Sequence, residues 1–453
     1  MNLMEMDNDL IKKSLQNSNL KIMVVGLGKV GLPLALVFAD SGLNVTGVDI
    51  NLKTVELLNK GILPHYEPKV PELLKKCIEN GKFKAVTDST GAAKDSDIII
   101  MVVPTLISTD KEPNITAVEK AAEFVGKGLK KGSIVIIEST VPPGTTEGIV
   151  KDTLERESGL KACADFGLAF CPERVQSPQV VDDIRKNYPK IVGGIDKKST
   201  EIASALYSFI NEKGVITVKN PKTAEMEKVV ENTYRDINIA FANELALISG
   251  KLGIDVMEII DVANTQPFCN ILRPGAGVGG HCIPMDPYYL IDEAKKIGLD
   301  VNLLENARKI NDFMPKHVVD LVKEGLSDMN KNIQESKIAV LGVSYKENTD
   351  DYRYSPSKDI INYLNDNKAY INTFDPYVDD VNDLKVEHFN DLRECVKDTD
   401  CIIIATAHKE FLEMDLNEIK LLTNEKCLFI DGRCVFNPDN ILDAGFIFRG
   451  VGR

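Results

Sequence analysis

At 453 residues the chain is longer than one hydrophobic core usually organises, so two or three domains are expected. With 43% hydrophobic and 27% charged residues and no low-complexity tract, it reads as folded outside its termini. The balance of 54 Lys+Arg against 68 Asp+Glu, a formal charge of -14, argues against nucleic acid or an anionic membrane surface as partner; a small anionic ligand needs basic residues gathered locally.

The opening MNLMEMDNDL lacks the apolar core of a signal peptide, and no apolar run reaches the roughly 18 to 20 residues that cross a bilayer, so a cytoplasmic protein is expected. Residues 1–19 are polar and read as a frayed arm or a capping helix. Lys21–Val25 (KIMVV) reads as a buried parallel strand, followed at 26–31 by GLGKVG, a helix-like stretch at 32–40 and a second strand, NVTGVDI, ending near Asp49. Apolar runs at 98–103 and Ile134–Ile137 continue the alternation of strand and helix, which implies a doubly wound sheet. Pro221–Leu252 carries apolar or small residues at helical spacing (Met226, Val229, Val230, Thr233, Ile237, Ala240, Phe241, Leu245) and stops at Gly253. Such a helix predicts a spine between domains, with spare apolar surface for a dimer contact.

Beyond it the strand rhythm returns: KIAVLGVSYK, YINTFDP, CIIIATAH and CLFIDGR, where TFDP answers GVDI, CIIIATAH answers DIIIMVVPT, and CLFIDGR answers IVIIEST. The expected fold class is therefore α/β: two Rossmann-like doubly wound parallel-sheet domains joined by a long central helix with an α-helical middle domain. The expected boundaries are an extension at 1–19 and domains at 20–219, 220–325 and 326–453. The second copy lacks a GxGxxG turn, having Gly342 followed by SYKEN, and is expected to bind something other than a dinucleotide.

GxGxxG is weak alone, but here it follows a strand, opens a helix, and precedes by 23 residues (Gly26 to Asp49) a carboxylate ending the next strand. Gly26, Gly28 and Gly31 let the backbone approach a pyrophosphate, and Asp49 accepts from a ribose diol, favouring NAD over NADP, although Lys53 stands nearby. Of nine Cys residues, an odd number and scattered, none forms a CxxC pair, so a reducing compartment is expected. The five His (His65, His281, His317, His388, His408) are likewise dispersed, and no metal, zinc included, is expected.

A lone Cys is most often a small buried hydrophobe. Cys282 differs because PGAGVGGHCIPMDP, at 274–287, sets four glycines before it, which bring amides close to a ligand and an oxyanion beside a thiolate. Asp286 stands four residues on, as a group that orients a partner or handles a proton. On the central helix Lys228, Asn232 and Arg235 fall at i, i+4 and i+7: a solvated polar stripe, or three donors facing an anionic substrate. Glu138-Ser139-Thr140 and CPER, with Glu173 as acid or base, end parallel strands, where ligand crevices form.

On the strings GLGKVGLPLA, VPT (103–105), ESTVPPGTT, CPER, AEMEKVVENTYR, PGAGVGGHC and YKENTDDYRYSP, the chain resembles the UDP-glucose/UDP-N-acetylhexosamine 6-dehydrogenase family from about Lys21 to Arg433. The resemblance implies a four-electron oxidation of a sugar C6 alcohol to a carboxylate with two NAD per turnover. Cys282 would hold the C6 aldehyde as a thiohemiacetal and then a thioester. Lys228 and Asn232 would serve the oxyanion, and Thr140, Glu173 and Asp286 the water and its protons. Gly26, Gly28, Val30, Gly31, Asp49, Lys53, Thr105, Thr140 and Arg353 match cofactor positions, Arg353 also an interface position. Arg174, Val175, Lys228, Asn232, Arg235, Gly277, Tyr345 and Lys346 match sugar-nucleotide positions.

His281 and Met285 stand where UDP-glucose enzymes of this family carry Ser or Tyr and Lys, so GGHCIPMDPYYL resembles the N-acetylhexosamine branch; overall resemblance favours the manno epimer, with UDP-N-acetylglucosamine and UDP-glucose as alternatives. Basic residues that some relatives lend to a neighbouring subunit are replaced by NTQPFCNIL, with Arg273 as a candidate substitute. A homodimer or higher homo-oligomer is expected. Two rivals stay open: a two-electron β-hydroxyacid dehydrogenase, which needs no thiol, and an inactive NAD-binding regulatory protein. A redox disulfide from Cys282 to Cys171, Cys269 or Cys434 is weighed against plain buried thiols.

Overall fold

A computed structural model describes residues 1–64, 67–108 and 110–453; His65 lies outside them. The chain forms two compact units, Met1–Glu231 with Tyr288–Gly298, and Asn232–Pro287 with Leu299–Arg453.

In the first unit, eight strands form one sheet: β1 Lys21–Val25, β2 Asn44–Val48, β3 Phe83–Val86, β4 Ile98–Met101, β5 Ile134–Ile137, β6 Gly167–Phe170, β7 Lys190–Gly194 and β8 Val215–Thr217. The order β8-β7-β6-β5-β4-β1-β2-β3 contains the 3-2-1-4-5-6 arrangement of a dinucleotide-binding sheet, parallel from β3 to β6. β7 joins β6 antiparallel, and β8 follows β7 in parallel. Strands β4 (IIIM) and β5 (IVII) are buried at every position, which is why they read as unbroken apolar runs rather than alternating ones. On one face the helix Gly31–Asp40 is buried at every residue but its last.

Of the two expectations for the opening residues, the helix is the one that forms. It spans Asn8–Gln16, is capped by Asp7 accepting from Leu10 N–H at 2.7 Å, and buries Ile11 and Leu15, with Leu3, in the core of this unit. The spine helix also forms over Pro221–Leu252 and ends where Gly253 takes φ +68°, a left-handed turn that glycine adopts without strain. Its residues through Glu231 belong to the first unit and those from Asn232 to the second.

The second unit carries a six-stranded sheet: β9 Lys337–Leu341, β10 Tyr370–Phe374, β11 Glu387–His388, β12 Cys401–Ile404, β13 Leu428–Asp431 and β14 Ile447–Gly450. Its order, β11-β10-β9-β12-β13-β14, repeats 3-2-1-4-5-6 with every pair parallel. The sequence correspondences hold strand for strand: β2 with β10, β4 with β12, β5 with β13. The helix Asn302–Asp328 lies on this sheet, and Gly325 lets it come so near that an added Cβ would fall 2.6 Å from Leu428 Cδ2. Among the described residues no helix is long and apolar enough to cross a membrane.

Because Ile11 and Leu15 are each only 1% exposed, the opening helix contributes core rather than decoration. Ile11→Ala and Leu15→Ala are each expected to lower the unfolding free energy by about 2 to 4 kcal/mol, read as a lower denaturant midpoint. Unchanged midpoints would show that the helix is dispensable.

Candidate active site

The glycine turn after β1 has the geometry a pyrophosphate needs. Gly26 takes φ +93°, donates its N–H to Val48 O at 2.8 Å, and has no room for a side chain: a Cβ would lie 2.1 Å from Val102 O. Gly31 is equally confined, its Cβ position 2.0 Å from Gly26 O, so the helix starts tight against the turn. Between them Gly28 has nothing within 4 Å, the open approach a ligand requires. Val30 caps the helix that follows. Asp49 is oriented by two amides, Leu27 N–H to Oδ2 at 3.0 Å and Asn51 N–H to Oδ1 at 2.9 Å, and stays half-exposed; Lys53 is exposed on the next helix. Thr105 and Thr140, both partly accessible, follow β4 and β5, whose ends Ser139 ties by exchanging hydrogen bonds with Val103 N–H and C=O at 2.8 Å each.

Beside them lies a charge cluster whose centre sequence reading missed. Lys190 Nζ bridges Glu138 Oε2 at 3.0 Å and Glu173 Oε2 at 2.7 Å, and Tyr207 OH donates to the other oxygen of Glu138. Glu173 Oε1 accepts the amides of Arg174 at 2.7 Å and Val175 at 3.2 Å. Two buried carboxylates thus share one ammonium. Burial pushes Glu138 up to about 7; the Lys190 charge opposes that rise in part, and the Glu173 charge adds to it. Burial also works to raise Glu173, but the Lys190 charge and the hydrogen bonds outweigh it and hold Glu173 below the ordinary carboxylate value. Arg174 is engaged by Glu231 at 2.8 Å, with its guanidinium 4.8 Å from the centre of the Tyr188 ring. Val175 is half-buried against the core of this unit.

On the central helix Lys228 is only 9% exposed and makes no ion pair among the described residues, so it is not part of a solvated stripe. Arg235 is exposed. One turn beyond Lys228, Asn232 Nδ2 donates to Asp286 Oδ2 at 2.6 Å. Asp286 is buried and opens the helix Asp286–Lys296; its N–H and that of Met285 both bond the carbonyl of Cys282, at 2.8 and 3.0 Å. The Cys282 thiol therefore sits on a turn leading into a helix N-terminus. It and Cys163 are exposed, Cys269 is half-buried, and Cys171 and Cys434 are buried.

The glycines before Cys282 serve packing as much as ligand approach. Cβ atoms at Gly277, Gly279 and Gly280 would lie 3.1 Å from Pro356, 2.6 Å from Pro356 and 2.8 Å from Tyr345, and Pro315 stands 3.2 Å from the first. Two of the loop's amides already have protein acceptors: Gly275 N–H bonds Asn243 Oδ1 at 2.9 Å and Gly280 N–H bonds Tyr354 O at 3.2 Å. Asn243 in turn donates to Asn311, which donates to Asp236, the buried partner of Arg308. Tyr345 is half-buried, and burial, then Asp351 and Cys282, push its hydroxyl up to about 12. His281 is edge-on to Tyr345 and Tyr354, with Nε2 3.3 Å from Asp351 Oδ2; Arg353 grips the same carboxylate through Nε at 2.9 Å and Nη2 at 2.7 Å. Lys346 is half-exposed, its carbonyl accepting from Ser344 Oγ and Thr349 Oγ1.

Comparison with known proteins decides the family. The NAD binding domain of the UDP-glucose/GDP-mannose dehydrogenase family matches residues 20–211, its central domain 222–313 and its UDP binding domain 339–438. UDP-N-acetyl-D-mannosamine dehydrogenase of Pyrococcus horikoshii is 40% identical over 435 residues, 96% of this chain and 99% of that one. The chain belongs to the UDP-glucose/GDP-mannose dehydrogenase family. It is an NAD-dependent oxidoreductase of the UDP-sugar dehydrogenase kind. A solved structure of UDP-D-ManNAc dehydrogenase from Pyrococcus horikoshii superposes with a TM-score of 0.89 at 38% identity, covering 96% of this chain and 99% of that one. NDP-N-acetyl-D-galactosaminuronic acid dehydrogenase from Methanosarcina mazei Go1 gives 0.85 at 35% identity, covering 98% of each.

Family membership fits both copies of the sheet: the one with the open Gly28 matches the NAD binding domain, and the one without GxGxxG matches the UDP binding domain. Sequence reasoning overlooked Lys190, Tyr207, Asn243 and Asp351. The only signal for Lys190 itself was a cation opening the short apolar run KIVGG, which does not name its partners.

The Glu138 carboxyl gives a pH test. Between about 4.5 and 7 the folded protein keeps a proton on Glu138 that the unfolded chain has released, so this group removes stability as pH rises through that window. Glu138→Gln abolishes the titration. Its unfolding free energy relative to the unsubstituted protein is expected to climb by about 1 kcal/mol per pH unit there, measured by urea unfolding at several pH values. A pH-independent difference would refute the raised carboxyl.

Proposed function

We propose that the chain oxidises the C6 alcohol of UDP-N-acetyl-D-mannosamine to the uronate through a thioester on Cys282. The observation that carries this reading is the exposed Cys282 thiol on a turn pinned by Asp286, itself bonded to Asn232. The substrate assignment draws on the name of the Pyrococcus horikoshii relative and on His281 and Met285 beside the nucleophile.

Gly26, Gly28, Val30 and Gly31, with Asp49 on the ribose and Lys53, Thr105, Thr140 and Arg353 as further contacts, would hold NAD, which would supply the hydride acceptor for each of the two oxidations at C6. The 93%-exposed Ile50, directly after Asp49, is an apolar face for the adenine. Once C6 is an aldehyde, the Cys282 thiolate adds to it, the carbonyl π bond breaks towards oxygen, and the oxyanion takes a proton to give a thiohemiacetal. Asn232 and Lys228 are its donors; a lysine so buried, with no ion pair among the described residues, is costly unless a ligand supplies negative charge. After the second oxidation, water attacks the thioester, the C–S bond breaks, and Cys282 is regenerated. Thr140, Glu173 and Asp286 position that water and carry its protons. Arg174, Val175, Arg235, Gly277, Tyr345 and Lys346 hold the sugar nucleotide. Among the described residues no disulfide joins the nine cysteines, which fits a reducing cytoplasm.

Two NADH per uronate are expected, with kcat/KM highest for UDP-N-acetylmannosamine among it, UDP-N-acetylglucosamine and UDP-glucose. Cys282→Ala is expected to lose at least about 10³-fold in uronate formation. One NADH per substrate, or a Cys282→Ala variant with full turnover, defeats the thioester route; preference for another sugar corrects the substrate alone.

We also propose a homodimer through the central helix. Met226, Val230, Tyr234, Phe241, Ile248 and Leu252 recur at spacings of one or two turns and are all at least 43% exposed. An apolar stripe of that length is expected to be covered in solution. Phe241→Asp should shift sedimentation from dimer to monomer at micromolar concentration; a monomeric unsubstituted protein ends this proposal.

A further inference from the structure

The two sheets share a local device, to which the second adds a buried histidine, His408. In each, a glycine with φ near +90° (Gly26 at +93°, Gly342 at +90°) follows the first strand and donates to the last residue of the second, Val48 at 2.8 Å and Phe374 at 2.9 Å. In each, the next amide bonds a carboxylate at the end of that second strand: Leu27 N–H to Asp49 at 3.0 Å, Val343 N–H to Asp375 at 2.8 Å. Asp49 stays half-exposed, open to a ribose diol. Asp375 is buried; it also accepts from Ser344 N–H at 3.0 Å and Tyr377 N–H at 2.9 Å, and the wholly buried His408 places Nε2 3.0 Å from it. The imidazole occupies, from within, the acceptor that a ribose would need.

Its proton can be placed by elimination. Asn348 N–H points at Nδ1 from 2.9 Å, so Nδ1 is an acceptor and the hydrogen is on Nε2. Nε2 faces Asp375 Oδ2 and Ser344 Oγ, each at 3.0 Å. Ser344 Oγ can accept there because its own proton goes to Lys346 O at 3.0 Å. One ring thereby joins the strand end to both ends of residues 344–348. Thr349 Oγ1 adds a second donor to Lys346 O at 2.9 Å, and Lys409 N–H bonds Asn348 Oδ1 at 3.1 Å. Asn348, at φ +57°, is in the left-handed region, a conformation these bonds retain.

We infer that His408 is a positioning residue for the UDP-sugar: it fixes the segment that presents Tyr345 and Lys346, and by closing Asp375 it denies this sheet a dinucleotide. The inference rests on the proposed contact of Tyr345 and Lys346 with substrate. His408→Asn keeps an acceptor where Nδ1 stands, and His408→Gln keeps a donor where Nε2 stands. If the segment's shape is what matters, His408→Gln raises KM for the UDP-sugar about tenfold, His408→Asn restores it to within about threefold, and KM for NAD stays within twofold in both. Thr349→Val, which spares the buried ring, raises the UDP-sugar KM about threefold with an unchanged melting temperature. Equal shifts in both KM values, or losses in kcat alone that track melting temperature, overturn the inference. Lys346→Ala separates the two layers: if it raises the UDP-sugar KM while the His408 and Thr349 variants leave it unchanged, this inference falls and the substrate contact stands. If Lys346→Ala leaves it unchanged, both fall.

Discussion

The hydrogen bond from Asn232 to Asp286 is the contact on which the proposed chemistry hangs. Asp286 is buried, opens a helix, and bonds the Cys282 carbonyl through its amide; the same residue's carboxylate is fixed by a side chain from the middle of the spine helix. A carboxylate held that way cannot swing, so the turn carrying the thiol has one orientation relative to the spine. The glycine loop reaches the same turn from the other side, tied at Gly275 to Asn243 three helical turns beyond Asn232. The proposed nucleophile, oxyanion donor and proton-handling carboxylate are thereby referred to one helix.

What was legible in the sequence was what is local. The Gly26 turn, the carboxylate at Asp49, and the span of the spine helix with its stop at Gly253 each follow from a pattern within a few tens of residues, and the strand-by-strand echo between the two sheets is a repetition of such local patterns. The Lys190 cluster was not legible, because its partners stand 52 and 17 residues away and Tyr207 meets Glu138 across 69. No periodicity predicts which two carboxylates a buried ammonium will find. The stripe of Lys228, Asn232 and Arg235 divided in a way spacing could not reveal: the first is buried, the second bonded to Asp286, the third exposed. The glycines before Cys282 were legible as a demand for close approach, but what approaches at Gly279 and Gly280 is Pro356, Tyr354 and Tyr345.

The two sheets also show how one architecture serves two ligands. Strand order, turn glycine and terminal carboxylate are kept, whereas the surroundings of the carboxylate differ: solvent at Asp49, an imidazole at Asp375. The inferred role of His408 adds to the missing GxGxxG turn as a second local reason why the two sheets take different ligands.

Pro315 and Pro356 press on the place where Gly277 lacks a side chain, Pro315 from inside a helix and Pro356 from the first turn of another. A proline ring cannot rotate away from a neighbour, and its backbone has little freedom to surrender on folding. The loop ahead of Cys282 is therefore moulded against two hard walls rather than against mobile side chains. Its curvature is a property of the folded chain before any sugar arrives, so little ordering is left for the substrate to impose.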